Sequence, residues 1–313
     1  MTQTLQPGTI LIVATAPLCW AGNFVLARHL GGEVPPIQLN FCRWLLAGII
    51  LTPFAWRARA AVVSAVRSHW RVFARQALCG VALYHCLVYY ALTLTGAINA
   101  TLINSMVPVL IPLIAFVAFG KSVSKRSWVA VAISTLGVLL VVTRGELGNL
   151  AGLAFNIGDL MMFAAAMTWA TYTLLLGQKP GELSGPPFLW VLCLFGVAML
   201  TPFYAWDLAT NGFFAQTAEN WLSVCYVAVF ASVVAFLAWN HGAARMAPAK
   251  LGMFAHLIPV FGVIMATVLL NERFLLSHGI GMALIAGGLW IAFHGMTSKA
   301  SPQIATKEGK PRC

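Results

Sequence analysis

Ten runs of 17 to 22 apolar residues, with nearly every charge confined to the short gaps between them, constrain this chain more than any motif does. They fall at 10–27, 37–56, 76–95, 98–119, 127–143, 155–176, 187–206, 220–241, 249–270 and 278–295. A bilayer's hydrocarbon core is about 30 Å thick, and a helix rising about 1.5 Å per residue crosses it in about 20 residues. Inside hydrocarbon each backbone amide must be satisfied within its own segment, which selects helices, and runs this long and evenly apolar are not barrel strands. Only 9% of residues are charged, against about 25% in soluble domains, too few to coat a water-soluble globule. The sequence therefore predicts an all-α membrane protein with ten transmembrane helices. The formal charge of +11 does not imply nucleic acid as a partner, because the cations lie between apolar runs rather than on one basic face of a soluble fold.

Lys and Arg accumulate on the cytoplasmic side of membranes. With the N-terminus inside, inside segments hold fifteen cations and outside segments only Arg28, Arg144 and Arg273, with Arg43 alone within a span. Adding or removing one span scrambles that alternation. Both termini are thus expected on the cytoplasmic side of an inner membrane, followed after residue 296 by a basic tail at 297–313. Residues 1 to 9 carry no Lys or Arg, so the positive start of a signal peptide is missing and the first span is expected to stay. The seven cysteines form no C-x-x-C pair and read as small apolar fillers.

The two halves share anchors at a nearly constant offset. Trp20-Ala21 matches Trp169-Ala170 at 149 residues, Ala97 matches Ala247 at 150 and Pro108 matches Pro259 at 151. The stretch Gly137 to Gly145 runs beside Gly287 to Gly295 at 150. Residues 1–145 and 146–296 then form two five-helix repeats. An odd number of spans makes the second enter from the opposite face, so the repeat is expected to be inverted. Lys121 and Glu272, 151 residues apart, place a cation inside and a carboxylate outside at the same repeat position. Inverted repeats suit carriers, because two similar halves can exchange roles around a central site.

The order and spacing of several motifs resemble the EamA-type exporters of the drug/metabolite transporter superfamily over roughly residues 8 to 296. They are Trp20-Ala21-Gly22-Asn23-Phe24, Phe41-Cys42-Arg43-Trp44, Ala97-Ile98-Asn99-Ala100 before Pro108, Gly158-Asp159-Leu160, Trp169-Ala170-Thr171-Tyr172, and Pro259 followed by Leu269-Leu270-Asn271-Glu272. The family commonly ends its fourth span in Gly-Glu; here Gly120-Lys121 stands there, so a role for that first-half Glu is absent. The resemblance implies ten helices and export of amino acids, related metabolites or drug-like organics; the expected partners are membrane lipids and a small-molecule substrate, and a ten-helix bundle of this kind could act as a monomer, although the sequence does not fix the oligomeric state.

A charge at a helix centre in the membrane costs about 2.5 to 3.5 kcal/mol on insertion scales, so the few intramembrane polar groups should face the bundle or a wet cavity. Arg43 suits either a bidentate grip on a substrate carboxylate or a clamp on neighbouring carbonyls. Asp159, the one carboxylate within a span, suits proton coupling or capture of an amino group, or stabilisation of the positive end of its own helix. His85, His241 and His256 either titrate and bind ligand or bond a neighbour. Trp20, Tyr84, Tyr89, Tyr90, Trp169, Tyr172 and Trp239 supply aromatic surface; Trp20 and Trp169 are repeat equivalents that a pseudo-two-fold axis brings toward one centre. With Asn23, Asn104 and Asn240 they are expected to line a pocket for a neutral or zwitterionic compound with apolar bulk. Pro108, Pro112 and Pro259 each remove a helical hydrogen bond and mark hinges or static bends.

An intramembrane enzyme is the competing reading from another class, but there is no H-E-x-x-H, no G-x-S-x-G and no second carboxylate near Asp159. A channel needs a continuous polar lining or filter loop, and a non-transporting scaffold an interaction domain. No motif calls for a cofactor, and none of the Walker type provides for ATP.

Overall fold

The computed structural model describes residues 7–30, 33–120, 122–146, 148, 156–269 and 273–294. The Lys121–Glu272 pair and the basic tail lie outside the described residues. Ten helical elements follow in order: α1 Pro7–Leu30, α2 Pro36–Arg57, α3 Arg59–Leu94, α4 in two pieces Ala97–Asn104 and Val107–Phe119, α5 Lys125–Val142, α6 Ile157–Gln178, α7 Gly185–Asn211, α8 Ala218–Ala243, α9 Pro248–Val268 and α10 Leu276–Phe293. Among the described residues nine of these, α2 to α10, are long and apolar enough to cross a membrane. The 24-residue α1 rises about 36 Å at 1.5 Å per residue.

The helices overlap the apolar runs, with one correction. Residues 59–75, in the gap between the second and third apolar runs, are helical and belong to α3. Val62, Ala65, Phe73, Gln76 and Ala77 are buried along one side, so the segment is held by an amphipathic stripe rather than by uniform hydrophobicity.

Packing repeats between the halves. Helix α1 lies against α8 and α9, while α6 lies against α3 and α4. Helices α2 and α7 pack on each other and run antiparallel: Trp190 Nε1 donates to Thr52 Oγ1 at 3.1 Å near one end, and Gln38 Nε2 donates to Asp207 Oδ2 at 2.8 Å near the other. Helices α5 and α10 are also antiparallel, with Arg126 Nε donating to the Ile291 carbonyl at 2.8 Å while Gly137 meets Gly281. At that meeting a Cβ on Gly137 would stand 2.5 Å from the Gly281 oxygen, so only glycine permits so close an approach.

Irregularities recur as well. Helix α3 carries a π segment at Leu78–Leu83 and α8 carries one at Val227–Val234, their starts 149 residues apart. Helix α4 breaks at Ser105-Met106, and α9 tightens to a 3₁₀ turn at Met253–His256. Pro108 and Pro259 explain the second pair, since each lacks the N–H for the carbonyl four residues back, at Asn104 and Ala255, and its ring crowds that carbonyl. Pro112 lies inside the second piece of α4 without interrupting it.

Candidate functional site

Both helix breaks open on one cavity. Its walls come from α1 (Trp20, Asn23), α3 (Tyr84, His85, Val88, Tyr89), the break in α4 (Asn104, Val107), α6 (Trp169) and the 3₁₀ turn and following residues of α9 (Ala255, Ile258). The opening is about 30 Å³, room for a water or two and well short of the roughly 300 Å³ from which small-molecule sites start. A metabolite therefore fits only after the walls part.

Aromatic rings form most of the boundary. The repeat equivalents Trp20 and Trp169 meet edge to face with centroids 5.1 Å apart, Trp239 stands 5.3 Å from Trp20, and Tyr84 lies 4.8 Å from Trp169. Edge-to-face contacts set the positive ring edge against a negative face, which fixes the ring planes.

The polar groups are few and specifically held. Arg43, fully buried, donates through Nε to Ser232 Oγ at 2.8 Å, through Nη1 to the Tyr89 hydroxyl at 2.7 Å and through Nη2 to the Ala231 carbonyl at 3.2 Å. The same carbonyl accepts the Trp20 indole N–H at 3.1 Å. A π segment loosens the regular ladder and leaves carbonyls available to side chains; here the segment of α8 takes one donor from α1 and one from α2. One turn earlier on α2, Asn40 Nδ2 donates to the Ala82 carbonyl at 3.2 Å in the π segment of α3. A single turn of α2 thus ties the two irregular segments together.

All three hydrogen-bond partners of Arg43 are neutral, and its guanidinium also lies 5.1 Å from the centre of the Trp44 ring. Tyr89 accepts from Arg43 and has no acceptor for its own proton among the described residues, while His85 Nδ1 is buried with no partner. Asn104 Oδ1 accepts from the Tyr84 hydroxyl at 3.3 Å. Among the described residues no carboxylate lines the cavity.

The remaining candidates are placed elsewhere. Asn240, expected in the lining, instead accepts from the Tyr172 hydroxyl at 2.8 Å, and neither residue lines the cavity. Trp239 stands behind the lining, its indole donating to Thr173 Oγ1 at 3.3 Å. Asp159 sits at the start of α6 in a capping box: its carboxylate accepts from Thr95 Oγ1, from Asn99 Nδ2 at 3.3 Å and from the Asn156 amide at 2.9 Å. It stitches the end of α3 and the start of α4 to α6. Buried His256 joins the breaks of the two halves, Nε2 donating to the Ser105 carbonyl at 3.0 Å and Nδ1 pairing with Ser134 Oγ at 2.8 Å. His241 pairs with Arg245 at 3.0 Å. Val88, Val107, Ala255 and Ile258 were not singled out in the sequence; the signal for three of them was Pro108 and Pro259, which set the breaks beside which they lie.

Comparison with known proteins places this geometry in context. The chain is 23% identical over 287 residues to the uncharacterized transporter YetK of Bacillus subtilis (strain 168), covering 91% of this chain and 87% of that protein. It is 20% identical over 294 residues to a probable amino-acid metabolite efflux pump of Escherichia coli (strain K12), covering 92% and 95%. A solved crystal structure superposes with a TM-score of 0.73 at 23% identity, over 91% of this chain and 96% of that one, which establishes the shared fold. The model of the EamA-like transporter family matches twice, over residues 7–143 and 156–293, one match to each half. The two family matches, one on each half of this bundle of apolar helices, accordingly make this chain a multi-pass membrane transporter and a member of the EamA-like transporter family.

Proposed function

We propose that the protein is a secondary carrier that exports small metabolites bearing a carboxylate and an apolar body, with aromatic and large aliphatic amino acids the best fit, by alternating access. Ten spans in two inverted halves are the architecture this requires. The antiparallel packing of the equivalent pairs α2 with α7 and α5 with α10 supports inversion, as do the π segments 149 residues apart. Two related halves of opposite orientation give inward-open and outward-open forms of similar energy, with a site at their junction. The shut cavity is the form between them. Export from the cytoplasm is the direction suggested by the relative described as a probable amino-acid metabolite efflux pump.

The observation that carries the substrate class is the buried, wholly neutral company of Arg43. An unpaired buried charge is destabilising unless something compensates it. Tyr89 relays that charge to the cavity surface, where its proton awaits an acceptor, and Trp20, Trp169 and Tyr84 offer ring faces to the rest of the molecule. Counterflow in proteoliposomes tests the reading with radiolabelled phenylalanine, tryptophan and leucine beside the amine phenethylamine. Saturable exchange of the carboxylate-bearing compounds, lost in Trp169→Ala, is the expected result. Equal accumulation in protein-free vesicles for every compound would overturn it.

A further inference from the structure

Helix α3 is longer than a membrane requires. Gln76 Nε2 donates to the Leu175 carbonyl at 2.8 Å, which sets residue 76 level with the end of α6. From there to Leu94 the helix rises about 28 Å, close to the roughly 30 Å of hydrocarbon. The stretch from Arg59 to Arg75 therefore lies beyond the apolar layer. It bends at His69, where φ −132 and ψ 23 leave the helical region. Val62, Ala65 and Phe73 are buried beneath it, with the Phe73 ring 6.0 Å from that of Phe188.

Its outer side is strongly basic. Arg67, Arg71 and Arg75 follow one another at four-residue spacing and are all exposed, with Arg75 Nε donating to the Arg71 carbonyl. Arg71 and Arg75 stand one helical turn apart, where like charges oppose helix formation in water, and Arg67 lies just across the bend at His69. No Asp or Glu occurs between Val34 and Gly145 to relieve them. Trp56 and Trp70 are 68% and 52% exposed, with Arg59 and Arg71 over their rings at 5.7 and 5.5 Å. Exposed Trp beside Arg is the composition of a membrane interface.

We propose that Arg59–Arg75 lies in the headgroup layer and binds anionic phospholipid headgroups through the row Arg67, Arg71 and Arg75, with Trp56 and Trp70 set at the hydrocarbon edge. The guanidinium fork matches phosphate oxygens two at a time, and a negative surface supplies the compensation the row lacks. Tyr84, His85 and Tyr89 belong to the same α3, so lipid held at one end steadies a wall of the cavity at the other.

The test uses the full-length protein in detergent, titrated with phosphatidylglycerol or phosphatidylcholine of equal acyl chain, with bound lipids counted by native mass spectrometry. Wild type should retain phosphatidylglycerol preferentially, and raising the salt should weaken that preference. A cation near an anionic surface contributes roughly fivefold in affinity, so Arg67→Gln with Arg71→Gln should lower retention about 25-fold. Arg67→Lys with Arg71→Lys keeps the charge and should preserve most of it, while Lys125→Gln, off the row, should preserve all. Equal retention of the two lipids by wild type overturns the proposal and leaves the row to an acidic protein segment. Phosphatidylglycerol retention unchanged in the double Gln variant overturns it equally.

Discussion

Replacing Arg43 by Gln separates two roles that the geometry superimposes, a clamp on the π segment of α8 and a charge behind the cavity. As a clamp its loss is moderate, because two of its three partners keep another bond. Ser232 Oγ still donates to the Val227 carbonyl at 2.9 Å, and the Ala231 carbonyl still accepts from Trp20. Hydrogen bonds from a charged group contribute about 1.5 to 3 kcal/mol each, but removing the buried charge also returns a desolvation penalty of several kcal/mol. The net change in stability should therefore be small, about 1 to 2 kcal/mol by that balance. As a charge its loss is larger. A ligand carboxylate on the Tyr89 hydroxyl stands one further hydrogen bond from the guanidinium, which is 2.7 Å from that oxygen. The charges are then about 5.5 Å apart, and at an effective dielectric of about 20 they attract by about 3 kcal/mol, or about 150-fold in affinity. The assay is competition in counterflow by phenylpropionate and its amide, which share shape and differ in charge. Wild type should prefer the acid by up to about 100-fold, and Arg43→Gln should bring the ratio near one with only a small fall in melting temperature. Tyr89→Phe should also collapse the ratio while leaving the ring in place. An unchanged ratio in Arg43→Gln, or a wild type indifferent to the charge, refutes the electrostatic argument and leaves Arg43 as a clamp alone.

Asp159→Ala strips acceptors from Thr95, Asn99 and the Asn156 amide and should lower stability by about 2 kcal/mol, read as a fall in melting temperature, while exchange by the folded fraction persists. Gly137→Ala sets a methyl against the Gly281 oxygen and should cost about 1 to 3 kcal/mol, whereas Gly287→Ala, its repeat equivalent with nothing within 4 Å, should be neutral or gain about 0.5 kcal/mol from helix propensity; thermal unfolding of the pair decides. Burial and the neighbouring Arg245 guanidinium hold Lys179 below the usual lysine range. Its amine should therefore lose its proton earlier than an ordinary lysine's as pH rises, detected by ¹³C-methyl NMR titration of reductively methylated protein.

The apolar runs carried the helices because a bilayer admits so few alternatives: 17 to 22 residues almost without charge have one regular structure that satisfies their amides. That rule is blind to a helix held by one stripe at a headgroup surface, which is why Arg59–Arg75 fell in the gap between the second and third runs. The repeat register carried further, into the site itself. Equivalence of Trp20 and Trp169 implied that they meet, and their centroids are 5.1 Å apart. Asn240 shows where such reasoning stops. It lies on the right helix at about the right depth, but whether it faces the cavity or Tyr172 depends on rotation about the axis, and the π segment preceding it in α8 changes that rotation. The segments LCGVAL and VAVFASVV share no pattern that announces a π turn.

The two π segments also explain why the residues of greatest chemical interest were hardest to pair from sequence. Arg43 lies one turn after Asn40 on α2; Asn40 donates to the Ala82 carbonyl of α3, while Arg43 donates to the Ala231 carbonyl and the Ser232 hydroxyl of α8 as well as to Tyr89 of α3. The Ala82 and Ala231 acceptors are backbone carbonyls within irregular turns, which no motif flags. One turn of α2 consequently touches the irregular segment of both repeats, and through Tyr89 it also touches the cavity. A ligand that draws on the charge of Arg43 would change how firmly that residue holds Ala231, one of the contacts in which a side chain of one half is bound to the backbone of the other. Under the proposed alternating-access mechanism, binding and rearrangement would then share a common element, as a carrier needs if occupancy of the site is to govern which face it opens to.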